Sequence, residues 1–164
     1  MVEDVIQALG YVALGSRLKR LGERLQADTQ ELTSLLAEIN LPTPHNPVLA
    51  ALHRSGPMSI GDLAASLGQS QPGVTRMVSA MKKAGLVTAA PDTTDKRVSK
   101  VALTTKGRSV TEHLSEVLWP SVDAAVADAC ANLSGCFLEQ LDQLDTALSS
   151  KPLRKRIRVR VKAR

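Results

Sequence analysis

Aromatic side chains are nearly missing from this chain: Tyr11, Trp119 and Phe137 are the three present, 2% of 164 residues. A core must therefore be assembled from Leu, Val and Ala. The 43% apolar content suffices for that, and in long periodic segments these residues favour helices. Cysteine is equally scarce. Cys130 and Cys136 are too few for a disulfide framework, and their spacing matches no common zinc pattern. No apolar run approaches the ~18 residues that span a bilayer. The opening Met1-Val2-Glu3-Asp4 is acidic where a signal peptide is basic. A soluble, cytoplasmic protein with no membrane partner is expected, in which the sequon Asn132-Leu133-Ser134 carries no glycan. Also missing are a glycine-rich phosphate loop, a metal-ligand cluster (His45, His53 and His113 are widely spread) and a credible nucleophile–base pair. No enzymatic activity, metal or cofactor is expected.

Negative charge is missing from one stretch. Residues 151–164 hold eight of the 21 Lys and Arg (Lys151, Arg154, Lys155, Arg156, Arg158, Arg160, Lys162 and Arg164) and no acid. The remaining thirteen basic residues face sixteen acidic ones, so the body carries −3 while the whole chain carries +5. The high pI belongs to the basic stretch, and bulk charge says little about nucleic-acid binding by the body.

What is present is helical periodicity with well-marked punctuation. Val5, Leu9, Val12, Leu14, Leu18, Leu21 and Leu25, continued by Leu32, Leu35, Leu36 and Ile39, predict one long helix or two over 5–38. Leu41-Pro42-Thr43-Pro44 breaks it. Three short helices follow. The first runs from Pro47 to Arg54. The second is N-capped by Ser59, with Asp62 at its third position, and ends at Gly68. The third is N-capped by Ser70, with Pro72 in its first turn, and runs to Ala84 before Gly85. Leu86–Ala89 and Val98–Leu103 then read as short strands around a polar turn, Pro91–Arg97. After Thr104-Thr105-Lys106-Gly107 a helix returns with Val110, Leu114, Val117, Leu118 and Val122, kinked at Pro120. A last helix starts near Ser134 and carries Phe137, Leu138, Leu141, Leu144 and Leu148.

Three short helices and a two-stranded hairpin form a winged helix-turn-helix layout. In such a layout the N-terminal end of the third helix enters the major groove. Here that end offers Gln69, Ser70, Gln71, Thr75 and Arg76. Gln71 suits bidentate pairing with adenine, and Arg76 suits guanine or a phosphate. Gly73 leaves room for close approach. Val74, Met77, Val78 and Met81 face inward. The helix N-termini at Ser59 and Ser70 offer backbone N–H groups to phosphates. Lys96 and Arg97, at the hairpin tip, suit phosphates or a narrow minor groove. For Gln71, Thr75 and Arg76 the plain alternative is a solvated helix face. For Lys96 and Arg97 it is a charged tip that blocks edge pairing.

Pro57-Met58-Ser59-Ile60-Gly61-Asp62-Leu63-Ala64, Ser70-Gln71-Pro72-Gly73-Val74-Thr75-Arg76 and Ala84-Gly85-Leu86-Val87 together resemble the reading head of the MarR family. Asp92-x-x-Asp95-Lys96-Arg97 and Val101-x-Leu103-Thr104-x-Lys106-Gly107 are similar to that family's wing and the start of its next helix, and Leu133-Ser134 also fits. The resemblance runs in order over 5–149. It implies a mainly α fold with a small two- or three-stranded wing. The implied parts are N-terminal dimerisation helices over 1–40, a DNA-binding domain over 41–107, C-terminal dimerisation helices over 108–149 and a basic tail over 150–164. It implies a homodimer that binds a pseudopalindromic operator in double-stranded DNA, as a repressor released by a small-molecule effector. DNA contacts fall on Ser59, Gln69, Ser70, Gln71, Gly73, Thr75, Arg76, Lys96, Arg97 and Lys106. An effector pocket between head and arm would draw on Tyr11, His53 and Trp119, with apolar packing the plainer role for Trp119. Ser79 and Ala80 stand where the family often has Asp then Arg, and Ala89 and Ala90 where it often has Arg. Those departures remove charge near the DNA face and suit the rival reading, a winged helix that binds protein. The family's sensing cysteines usually lie in the first helix, where this chain has none, so Cys130 and Cys136 read as small core residues. The basic tail reads as a disordered arm on phosphates, as an added strand (Ile157, Val159 and Val161 alternate), or as a frayed end.

Overall fold

A computed structural model of the chain describes residues 2–37, 39, 41–91 and 99–156. The N-terminal Leu stripe folds as two helices, α1 (Val5–Ala8) and α2 (Leu14–Leu36), separated by a 3-10 turn at Gly10–Ala13. Asp4 caps α1 through Gln7 and takes both guanidinium nitrogens of Arg20, at 3.2 and 2.7 Å, which pins α1 to α2. That paired guanidinium holds the Asp4 carboxyl below its usual range, with the Gln7 N–H acting in the same direction. The proline-rich break after α2 is fastened back onto it. Gln30 Nε2 donates to the Leu41 carbonyl at 3.0 Å, while Gln30 Oε1 accepts from Thr43 N at 2.8 Å.

The winged helix follows. α3 (Asn46–Ser55), α4 (Ile60–Ser66) and α5 (Gln71–Lys83) precede an antiparallel pair, β1 (Val87–Pro91) and β2 (Ser99–Leu103), in which Val87 faces Leu103 and Ala89 faces Val101. Met58 bridges to Val101 through two backbone hydrogen bonds of 3.0 and 2.7 Å, adding a one-residue third strand. Leu49, Leu63, Val74, Val78 and Met81 from the three helices meet Leu86, Val87 and Val101 in one buried core. Two turns need positive φ, and glycine supplies it at both: Gly68 (+59°) between α4 and α5, and Gly85 (+72°) between α5 and β1.

The helix after the wing starts earlier than the sequence suggests. Thr104 is its N-cap, and Thr105, Lys106 and Gly107 form the first turn of α6 (Thr105–His113). The expected kink is a π-helical stretch, Leu114–Leu118, leading into α7 (Trp119–Cys130). Proline cannot sit over the carbonyl four residues back, and a wider turn just before Pro120 relieves that clash. The chain divides by contact into two units, Met1–Val122 and Asp123–Arg164. In the second unit, α8 (Phe137–Ser150) begins three residues later than the Ser134 expectation, with Cys136 in the capping position. Ser134 instead precedes a turn at Gly135, and its carbonyl accepts from Gln140 Nε2. Cys136 is exposed and Cys130 half-buried. The reading of both as core residues is therefore corrected: they flank the α7–α8 loop, outside the buried cluster. One further turn, α9 (Leu153–Arg156), forms where the basic stretch begins. Arg158 to Arg164, and the alternation carried by Ile157, Val159 and Val161, lie outside the described residues. Among the described residues, no helix is long and apolar enough to cross a membrane.

Candidate nucleic-acid interface

The buried residues of α5, Val74, Val78 and Met81, repeat with helical spacing and fix the helix against the core. Geometry then decides what faces out. Gln71, Pro72, Thr75, Arg76, Ser79 and Ala80 are exposed and form a stripe of neighbouring turns. Lys82 and Lys83 continue it, seven positions beyond Thr75 and Arg76 and therefore on nearly the same face. Sequence reasoning misses both lysines, because basic residues in a last turn also serve the helix dipole. The i+7 spacing from Arg76 is the signal that points to them.

The candidate residues separate by how far the protein itself uses their hydrogen bonds. Ser59 is spent: its Oγ accepts from Asp62 N at 3.1 Å and donates to Asp62 Oδ2 at 2.7 Å. Thr75 Oγ1 donates back to the Gln71 carbonyl at 2.8 Å, which leaves its methyl group and an acceptor lone pair outward. Lys106 Nζ donates to the Ala84 carbonyl at 3.0 Å, so its charge sits on the C-terminal end of α5, away from the N-terminal end. Ser70 Oγ accepts from Gly73 N at 3.4 Å, a long capping bond. By contrast, no hydrogen bond or ion pair among the described residues occupies the side-chain heads of Gln69, Gln71 or Arg76. A Cβ added at Gly61 would lie 3.5 Å from Gln71 Nε2, so Gly61, which carries no signal in the sequence, makes space beside that amide. At Gly73 an added Cβ would meet Ser70 Oγ at 3.2 Å and nothing else within 4 Å. Lys96 and Arg97 lie outside the described residues.

The α4 and α5 N-termini differ in charge. α4 carries Asp62 in its first turn, whereas α5 carries no acid there. A carboxylate at a helix N-terminus already satisfies the positive end of the dipole and repels a second anion. The α5 end keeps its attraction for phosphate.

Of the three residues nominated for an effector pocket, Trp119 packs against the core, Tyr11 is 94% exposed on its 3-10 turn, and His53 is exposed near the end of α3. A cavity of about 530 Å³ lies along α2, lined by Ala27, Gln30, Glu31, Ser34 and Leu35, and includes none of the three.

Residues 39–98 match the model of the MarR family. The winged-helix segment belongs to the MarR family. A transcriptional repressor of Pseudomonas putida, IacR, is 35% identical over 89 residues, 54% of this chain and 53% of its own length. A transcriptional activatory protein of Rhodopseudomonas palustris, BadR, is 34% identical over 97 residues, 57% of this chain and 54% of its own. The chain thus spans about half the length of the curated relatives it matches. The fold extends further than the sequence match. A mutant form of Escherichia coli MarR, complexed with operator DNA, superimposes with a TM-score of 0.68 at 20% identity, covering 89% of this chain and 99% of that one. The mainly α architecture with a small wing is the MarR fold.

Proposed function

We propose that this protein is a sequence-specific DNA-binding transcription regulator, acting as a homodimer on a pseudopalindromic operator, with no catalytic activity and a place in the cytoplasm. One observation carries this reading: Gln71 and Arg76 stand exposed and unbonded beside an acid-free helix N-terminus, on a winged helix of MarR type. A bidentate Gln reads adenine and a bidentate Arg reads guanine. Gln69 and Ser70 meet the adjacent phosphates, Gly73 lets the backbone approach, and the Thr75 methyl suits a thymine methyl. Lys82 and Lys83 reach the flanking backbone, and Lys96 and Arg97 act from the wing. Ser59 and Lys106 are positioning residues in this reading, since their hydrogen bonds hold α4 and α5 in place. Residues 41–107 supply the reading domain. Residues 1–40 and 108–149 supply the dimer arms, where Leu18, Leu21 and Leu25 leave 37–47% of their surface open along one face of α2. Half-sites in such a dimer lie about one helical turn, ~34 Å, apart. Occupancy of a promoter would repress transcription. A small ligand would relieve repression only by binding the two head spacings unequally, with Trp119 the nominated residue best held in place.

Selection of duplexes from a random-sequence pool, followed by footprinting, tests the reading. Enrichment of a two-fold related sequence, with protected half-sites one turn apart, is the expected result. Failure to enrich any sequence would overturn it and favour a winged helix that docks on protein, which the uncharged Ser79 and Ala80 on the outward stripe would suit.

A further inference from the structure

The winged-helix reading leaves the chain's strongest charge feature unused. Residues 151–164 carry eight cations and no acid, against a body of −3. A body of that charge gains no long-range attraction to a polyanion, so any electrostatic pull on DNA must come from this stretch. Its first residues are placed by the fold. α9 folds back on the end of α8, and Arg156 donates from Nε to the Lys151 carbonyl at 2.6 Å and from Nη2 to the Ala147 carbonyl. This guanidinium serves the open carbonyls of the α8 C-terminus. Arg156 is thus an anchor, and the stretch is tethered at a defined point. Lys151, Arg154 and Lys155 are exposed, and among the described residues nothing pairs with their charged heads.

We infer that the 151–164 stretch, anchored by Arg156, is a second, sequence-independent DNA contact that grips backbone phosphates. The inference rests on the DNA-binding reading above and adds to it the source of affinity. Two features favour DNA phosphates over a lipid surface. Five of the eight cations are Arg, which bonds phosphate oxygens in a fork. The apolar residues of the stretch are Leu153, Ile157, Val159, Val161 and Ala163, with no aromatic to seat in a headgroup layer.

The test compares the full chain with a variant carrying Arg154→Gln, Lys155→Gln, Arg158→Gln and Arg160→Gln. Arg156 is kept, so the α8 anchor stays intact. Binding is measured by fluorescence anisotropy against the selected duplex and a duplex of arbitrary sequence and equal length, over a salt series. Each lost phosphate contact lowers the slope of log affinity against log salt by about 0.9. The variant should therefore lose about 3 to 4 from the slope on both duplexes, while its preference between them stays unchanged. A slope altered by less than one overturns the inference, and if the full chain still discriminates between the duplexes the winged-helix reading stands. If the full chain shows no preference but a slope that collapses in the variant, the winged-helix reading fails and the phosphate grip stands. Phosphatidylserine vesicles at matched salt form the control arm. Binding to them tighter than to the arbitrary duplex would overturn the assignment to DNA.

Discussion

Gly107→Ala and Gly73→Ala add the same methyl group to first turns of two successive long helices, yet the structure gives them opposite consequences. Gly107 is buried, and an added Cβ would stand 1.9 Å from the Leu86 carbonyl oxygen and 2.8 Å from its carbon, both backbone atoms. Ordinary contact begins at 3.4 Å, so α6 and β1 must separate by most of the missing 1.5 Å. That carbonyl also accepts from Thr104 N at 3.0 Å and from Thr104 Oγ1 at 3.2 Å, while Thr104 Oγ1 lies 2.7 Å from the Gly85 carbonyl and caps Gly107 N at 2.9 Å. Losing two such bonds costs about 0.5–1.5 kcal/mol each, with about 1–3 more for a group left unpaired. Replacing a helical Gly by Ala returns at most ~1 kcal/mol. The net is a destabilisation of about 2–4 kcal/mol, or a Tm lowered by about 5–15 °C for a chain of this size.

At Gly73 the added Cβ meets the end of a serine side chain, which can turn aside, and the capping bond it disturbs is already long at 3.4 Å. Gly73→Ala should leave Tm within about 3 °C of the parent. Because the new methyl lies on the outward N-terminal turn, affinity for the selected duplex should fall by a factor of about 5 or more, which is ~1 kcal/mol. Thermal melts followed by circular dichroism at one fixed protein concentration, paired with anisotropy titrations, separate the two effects. A Gly107→Ala melt equal to or above the parent would refute the close-approach argument. A Gly73→Ala variant that binds DNA as the parent does would remove that turn from the interface.

Arg76→Ala should cost ~1–3 kcal/mol on the selected duplex and relax base preference at the position it reads; repeating the selection with the variant checks this, and an unaltered motif removes Arg76 from base reading. Leu21→Asp with Leu25→Asp places two charges on the open apolar face of α2, so sedimentation should shift from dimer towards monomer, and an unchanged sedimentation coefficient would show that the dimer forms elsewhere. His45 is held below the ordinary histidine pKa by burial, and its Nδ1 has no hydrogen-bond partner among the described residues. Below about 6.5 the unfolded chain takes up a proton that the folded chain resists, so this group erodes stability as pH falls from there towards the lowered folded value. Melts from slightly alkaline to mildly acidic pH should show a smaller loss for His45→Gln than for the parent, and identical losses would refute the assignment.

Much of the winged helix is legible in the sequence because its punctuation is local. Ser59 with Asp62, Ser70 with Pro72, and the glycines at 68 and 85 act within four residues of themselves, and each sits where its chemistry predicts. What stays hidden links residues far apart in the chain. Gln30 fastens Thr43, Lys106 caps Ala84, and Gly107 lies against Leu86. Periodicity carries no information about a partner twenty residues away. The α8 start escapes a sequence reading for a related reason. Ser134 has the right chemistry for a cap, but Gly135 at φ +75° turns the chain first and leaves Cys136 to precede the helix. A core position for the cysteines follows from the general habit of free thiols, which a helix–loop–helix corner overrides.

The difference between the two helix N-termini bears on how the protein would meet DNA. From sequence, Ser59 and Ser70 are equivalent caps. In the fold, Asp62 neutralises the first terminus from within, and Ser59 Oγ is committed to it both as donor and as acceptor. The second terminus has a weaker cap, no acid, and side chains whose hydrogen-bonding groups are unused. Stability is therefore concentrated in α4 and recognition capacity in α5, as expected where one helix braces another against a polyanion. Asp62→Asn separates the two contributions: the serine oxygen can still accept from residue 62 N–H, so the cap persists, but the carboxylate that screens the α4 terminus is gone. If α4 lies beside the DNA backbone, binding to an arbitrary duplex should tighten and its salt slope steepen by up to about 0.9, one phosphate's worth. An unchanged slope would leave α4 as a brace that stands clear of the phosphates.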